Sequence, residues 1–240
     1  MNVNANAYGG RHMPHITISI DGPTASGKTT LASSLAQFFG LAFLDTGLTF
    51  RSLAYALSRE PDGQARATLI SDLRHLPAVY GPSGELIRSH AVFFQEKEIT
   101  EDIWDSSLDD HLKRVSRDPD LRQEILRVHR DIVEDCGDVV VVGRDVAVTL
   151  LPRADLQIYL TAGLAVRRER RRAQYRDRAD RSTAVGPPTA HDEENRVAVR
   201  ALPHPLDIDS THLPASAVFA SALNRLGRHP VHLGERRDET

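Results

Sequence analysis

The chain has 240 residues, a formal net charge of -3 and 40% apolar residues, enough for one sizeable core with inserted lobes rather than two independent domains. Apolar runs such as Val139–Val142 are too short to cross a bilayer, residues 1–15 lack the apolar core of a signal peptide, and a lone cysteine, Cys136, excludes an intrachain disulfide and fits a reducing cytoplasm. The near-balanced charge gives no sign of a nucleic-acid partner, although eight arginines crowd between Arg167 and Arg181.

Residues 1–14 read as a disordered tail. Ile16, Ile18 and Ile20 alternate with polar residues and predict a first strand that ends at Asp21-Gly22. Leu31, Leu35, Phe38 and Phe39 recur at helical spacing from about Lys28, and Gly40 closes that helix. A short strand over 41–44, a helix over 46–57 and a further helix over 61–76, stopped by Pro77, follow. Short apolar stretches at 79–80, 86–87, 92–94 and 99, broken by Gly81-Pro82-Ser83-Gly84, predict a small β insert. Helices are expected over 103–116 and 121–135, split at Asp118-Pro119. Val139–Val142 reads as a strand buried on both faces, and 156–160 repeats the pattern. An arginine-loaded helix over 163–178, a loop over 183–205, a strand over 206–209 and a helix over 214–226 complete the chain. Strands alternating with helices imply a parallel, doubly wound α/β sheet with helices on both faces.

Gly22-Pro23-Thr24-Ala25-Ser26-Gly27-Lys28-Thr29 fits G-x-x-x-x-G-K-[ST] without a gap, after a predicted strand and at the mouth of a predicted helix. Gly22 and Gly27 let the backbone wrap a phosphate with its N–H groups pointing inward, and the helix N-terminus adds partial positive charge. Lys28 suits the β- and γ-phosphates, and the Thr29 hydroxyl suits Mg²⁺. Nucleoside triphosphate is handled here, with Gly22 to Thr30 as its contact surface.

Beyond this loop the chain resembles the cytidylate kinases of bacterial type. The blocks that carry the resemblance are Ile18 through Thr30, Leu44-Asp45-Thr46-Gly47 with Arg51, Val92 to Ile103, Asp118-Pro119-x-x-Arg122, Gly143-Arg144-Asp145, the arginines 167, 170 and 171, and Asp209-Ser210-Thr211. The resemblance implies a P-loop NTPase fold in one kinase domain over 15–240. Its core would be 15–60, 136–165 and 204–228, its β-containing monophosphate-binding insert about 61–135, and its Arg-rich lid about 166–203. It implies phosphorylation of CMP or dCMP by ATP with Mg²⁺, in a cytoplasmic monomer whose partner is a small nucleotide, with no nucleic acid and no membrane.

By the same resemblance Arg51, Arg122 and Arg144 hold the acceptor phosphate, which the planar guanidinium fork suits. Asp145 accepts from an exocyclic amine such as that of cytosine, and Thr46 bonds base or sugar. Lys28, Arg167, Arg170 and Arg171 are the catalytic cations, three of them in the lid. The expected lid block R-x-x-x-D-x-x-R fits either Arg176 and Asp180 ending at Thr183, or a respaced version over Asp192 to Arg200. Thr29-Thr30 replaces the family's Gly-Thr, Val146-Ala147 stands where it has a glycine, and Lys113 stands near where it tends to have a serine against the base. The Thr29-Thr30 change keeps a Mg²⁺-binding hydroxyl and leaves the phosphate side intact, whereas the other departures fall on the ribose and base side, so a modified cytidine monophosphate is an alternative acceptor. A P-loop nucleic-acid-binding or regulatory protein using the arginine run is a third reading, with only Tyr175 there to stack on a base.

Overall fold

A computed structural model describes residues 16–59, 66–176, 181 and 185–227. Seven strands form one sheet in the order β10-β9-β1-β8-β2-β4-β5. They are β1 (Thr17–Asp21), β2 (Ala42–Asp45), β4 (Ala78–Tyr80), β5 (Leu86–Arg88), β8 (Val139–Val142), β9 (Leu156–Thr161) and β10 (Pro205–Asp209). The five from β10 to β2 run parallel, with Thr17 opposite Val139 and Ile18 opposite Leu156. Helices cover both faces. Val140 and Val142 turn toward α1 (Lys28–Phe39) and α9 (Ala215–Gly227), and Val139 and Val141 toward α5 (Pro119–Cys136) and α6 (Val146–Thr149). This is why β8 is four consecutive valines rather than an alternation.

The insert is built on a second apolar cluster. It joins α2 (Thr46–Arg59), α3 (Arg66–Ser71), the strand β6 (Ala91–Phe94) and α4 (Asp109–Arg117) to α5. Three sequence expectations fail here. Residues 61–65 of the predicted helix over 61–76 lie outside the described residues, and the rest is a short α3 followed by β3 (Leu73–Leu76), which pairs antiparallel with β6 in a separate three-stranded sheet completed by β7 (Lys97–Glu98). Leu69, Leu73 and Leu76 mimic a helical stripe, but pairing of Leu73 with Phe94 across the chain decides the outcome. Nor is the β insert wholly a lobe of its own, because β4 pairs antiparallel with β2 and extends the main sheet. The helix expected from 103 is also broken, into 3-10 turns at Asp102–Trp104 and Ser106–Leu108 before α4 begins.

Downstream, α7 (Leu164–Gln174) is the arginine-loaded helix. The predicted loop over 183–205 instead contains α8 (Ala190–Arg200). Its start is a capping box in which the Thr189 hydroxyl takes the Asp192 N–H while the Asp192 carboxylate takes the Thr189 N–H. The T-x-x-D spacing was in the sequence, outweighed by the flanking prolines.

Candidate active site

The carboxyl ends of β1, β2, β8, β9 and β10 share one edge of the sheet, the place where open α/β sheets bind ligands. The glycine-rich loop follows β1 there. Gly22 has φ 141°, and a Cβ on it would stand 2.1 Å from the Leu160 carbonyl oxygen, so no other residue fits. Gly27, at φ 103°, caps α1 in the left-handed region. Lys28 folds back over the loop, its Nζ donating to the Gly22 and Pro23 carbonyls at 2.8 and 2.9 Å. Burial pushes its ammonium down to about 8, opposed by Asp45 and reinforced by Arg144. Thr29 and Thr30 are exposed on the first turn of α1.

Asp21, which the sequence marked only as a strand end, is fully buried and accepts from the Val146 and Ala147 N–H groups at 2.7 and 2.8 Å. It thereby ties the end of β1 to the start of α6. Burial raises its pKa to about 7, against the pull of those two N–H groups. Its position directly before Gly22 was the available signal.

The expected acceptor residues do not form a single cluster. Arg122 reaches from α5 to Asp145, just past β8, and the two form an ion pair, with His191 of α8 3.9 Å from the same carboxylate. Arg144 turns the other way and donates to the Thr24 hydroxyl of the phosphate loop at 3.0 Å, while its carbonyl accepts from Asn195 of α8. Arg51, on α2, stacks 4.7 Å from the Trp104 ring centre. Thr46 is buried with its hydroxyl given to the Val142 carbonyl at 2.8 Å, so toward a ligand it has acceptor capacity alone. Asp180 lies outside the described residues. Nothing in the sequence pointed to Asn195, His191 or Trp104.

The lid arginines are placed differently from expectation. Arg167 is 1% exposed and donates to the carbonyls of Ala162, Thr24 and Gly186 at 3.0, 3.2 and 3.1 Å. It is a strut that joins α7, the phosphate loop and the chain before α8. Arg170 joins the Ser26 carbonyl to Ser210 after β10. Arg171, 8% exposed, donates to the Tyr175 hydroxyl at 3.0 Å. With two of these cations buried, α7 does not present the whole arginine run as an open basic face. Beside the loop, a cavity of about 190 Å³ is walled by Pro23, Tyr159, Gly163, Glu193, Arg196 and Asp209.

The family profile described as cytidylate kinase matches residues 18–187, from β1 to the approach to α8. The chain belongs to the cytidylate kinase family. A cytidylate kinase of Chloroflexus aggregans is 37% identical over 167 residues, covering 68% of this chain and 71% of the relative. One of an Exiguobacterium species is 35% identical over 162 residues, 65% and 68% of the two chains, and one of Streptococcus pneumoniae is 33% identical over 160 residues, 66% and 70%. A sugar kinase of a Janibacter species overlays at TM-score 0.46 with 14% identity, covering 90% of this chain and 97% of that one, a level that carries no argument. Membership in the cytidylate kinases makes the chain a nucleoside monophosphate kinase and implies ATP as co-substrate. Among the described residues no helix is long and apolar enough to cross a membrane.

Proposed function

We propose that the protein transfers the γ-phosphoryl group of ATP to CMP or dCMP. The observation that carries this is the pairing of Arg122 with Asp145 at the end of β8, a strand end away from the phosphate loop. It sets a phosphate-binding cation beside an amine-binding carboxylate, the two features a cytidine monophosphate needs. An oxygen of the acceptor phosphate attacks Pγ, the bond from Pγ to the β–γ bridging oxygen breaks, and ADP leaves. Lys28 shifts from the loop carbonyls to the phosphates. Arg144, already against Thr24, stands where donor and acceptor phosphates would meet, and Arg51 approaches from the insert. Catalysis is then positioning and charge stabilisation.

Mg²⁺ fits this site through the Thr29 hydroxyl. Among the described residues no cluster of three or more metal-ligating side chains occurs, and the donor set suits an ion held mainly by phosphate oxygens and water, neutralising charge on the triphosphate. By the same reading the chain is a cytoplasmic monomer divided into core, insert and lid.

One observation favours a modified acceptor. Lys113, near where a serine was expected against the base, pairs with Asp110 at 2.8 Å and is largely exposed, so it brings no hydroxyl to a cytosine. A coupled ADP-release assay with CMP, dCMP, UMP, AMP, GMP and a 5-substituted CMP separates the readings. Preference for CMP or dCMP supports the first, and preference for the substituted nucleotide supports the second. Turnover on none of them contradicts both.

A further inference from the structure

Arg51 is held by a ring rather than by a carboxylate. Among the described residues it forms no ion pair, and its one hydrogen bond is a long contact, 3.5 Å, from Nη1 to the Ile103 carbonyl. Its guanidinium lies over Trp104, 4.7 Å from the ring centre. A π-face holds a guanidinium by its flat side and leaves the N–H groups on its edge available. A carboxylate would neutralise the charge and occupy the fork.

Two residues beyond the end of α7 approach the same ring. The Arg181 guanidinium lies 5.7 Å from the Trp104 ring, and the Tyr175 ring is 6.4 Å from it, centre to centre. Arg181 pairs with Glu101 at 2.5 Å, its backbone bridges to Asp105, and its side chain is only 8% exposed. Tyr175 in turn carries Arg171, 4.3 Å from its ring centre. Burial, then the charge of Arg171, hold Arg51 below its ordinary value. Cations crowded in this way are relieved by an incoming anion.

We infer that Trp104 is a positioning residue for the acceptor phosphate: it aims Arg51 while leaving the N–H edge free, and it makes that aim depend on the seating of Tyr175 and Arg181. The inference rests on the monophosphate-kinase reading. It deepens that reading by giving the acceptor, and not ATP, a binding site completed by Tyr175 and Arg181.

Trp104 is the sole tryptophan, so its emission reports this contact alone. Steady-state kinetics with CMP and ATP would be measured for wild type, Trp104→Ala, Trp104→Phe and Tyr175→Ala, alongside emission on adding CMP to the two proteins that keep Trp104. Trp104→Ala should raise the CMP KM roughly tenfold and leave the ATP KM within about twofold, while Trp104→Phe, which keeps a ring face, should stay within about threefold of wild type. Tyr175→Ala should shift the CMP KM in the same direction and weaken the CMP-induced emission change. An unmoved CMP KM in Trp104→Ala, or equal losses toward both substrates, overturns the proposal. Should Trp104→Ala not fold, an unmoved CMP KM in Tyr175→Ala does the same. A wild type that phosphorylates no monophosphate defeats the kinase reading itself, an outcome visible before any variant is compared.

Discussion

Arg122 on α5 and Asp145 beyond β8 neutralise one another across the cleft, although a cytidine monophosphate would call on each separately. On the proposed reading, binding of the acceptor would exchange a protein ion pair for two contacts to ligand.

Two changes separate those contacts. Asp145→Asn keeps the shape and removes the charge, and should raise the CMP KM about tenfold with the ATP KM nearly unchanged. Arg122→Ala loses the phosphate contact and leaves a carboxylate facing the dianion, so its CMP KM should rise further, by roughly 30- to 100-fold. Equal CMP and ATP losses in either variant would argue against an acceptor site there.

Lys28 is half-buried and parked on two loop carbonyls. Lys28→Ala should lower kcat by about 10²- to 10³-fold, because the cation that the loop lysine would bring to the transferring group is lost. Circular dichroism should show the fold retained. Near-wild-type turnover would remove the loop from the chemistry.

Arg167 bears on a different quantity. Its three donors satisfy three carbonyls on separate segments, and truncation leaves them unpaired. Arg167→Ala should cost about 2–4 kcal/mol in urea denaturation. A variant as stable as wild type but slow in kcat would restore the direct catalytic role expected from the sequence.

The parts of the fold legible in the sequence were those governed by local signals. The alternation before Gly22, the glycines of the loop, the stop at Gly40 and the four valines of β8 all lie where the residues indicated. The failures came where distant pairing decided, or where one local signal was outweighed by another. His75 and Leu76 sit in a strand because β6 lies beside them, and α8 forms despite prolines on both sides because Thr189 and Asp192 cap it. The same holds at the site. The places of the loop after β1 and of Asp145 past β8 could be read from motif and position, whereas the strut role of Arg167 depends on Thr24, Ala162 and Gly186 meeting in space, and no periodicity encodes that meeting.

Acid should loosen the insert through its buried histidines. His129 Nε2 and His75 Nδ1 both contact the Thr49 hydroxyl at 2.8 Å. Burial holds His129 down at about 4 and His75 well below its ordinary value. Their folded pKa values lie below the unfolded one near 6.5, so the stability they contribute is intact above that pH and is lost as pH falls toward about 4. For His129 alone this amounts to about 3 kcal/mol. Urea midpoints at pH 7 and 4.5 should fall further in wild type than in His129→Leu. The opposite-signed effect of Asp21 is common to both proteins and drops out of the comparison. Equal falls would assign the acid sensitivity elsewhere.

The most direct test of the central claim is to incubate the protein with ATP, Mg²⁺ and CMP and quantify nucleotides by chromatography. The account predicts CDP and ADP appearing one for one, and both appearing about 10²- to 10³-fold more slowly with Lys28→Ala. ADP accumulating without CDP, or CMP left unchanged while ATP is consumed, would contradict it.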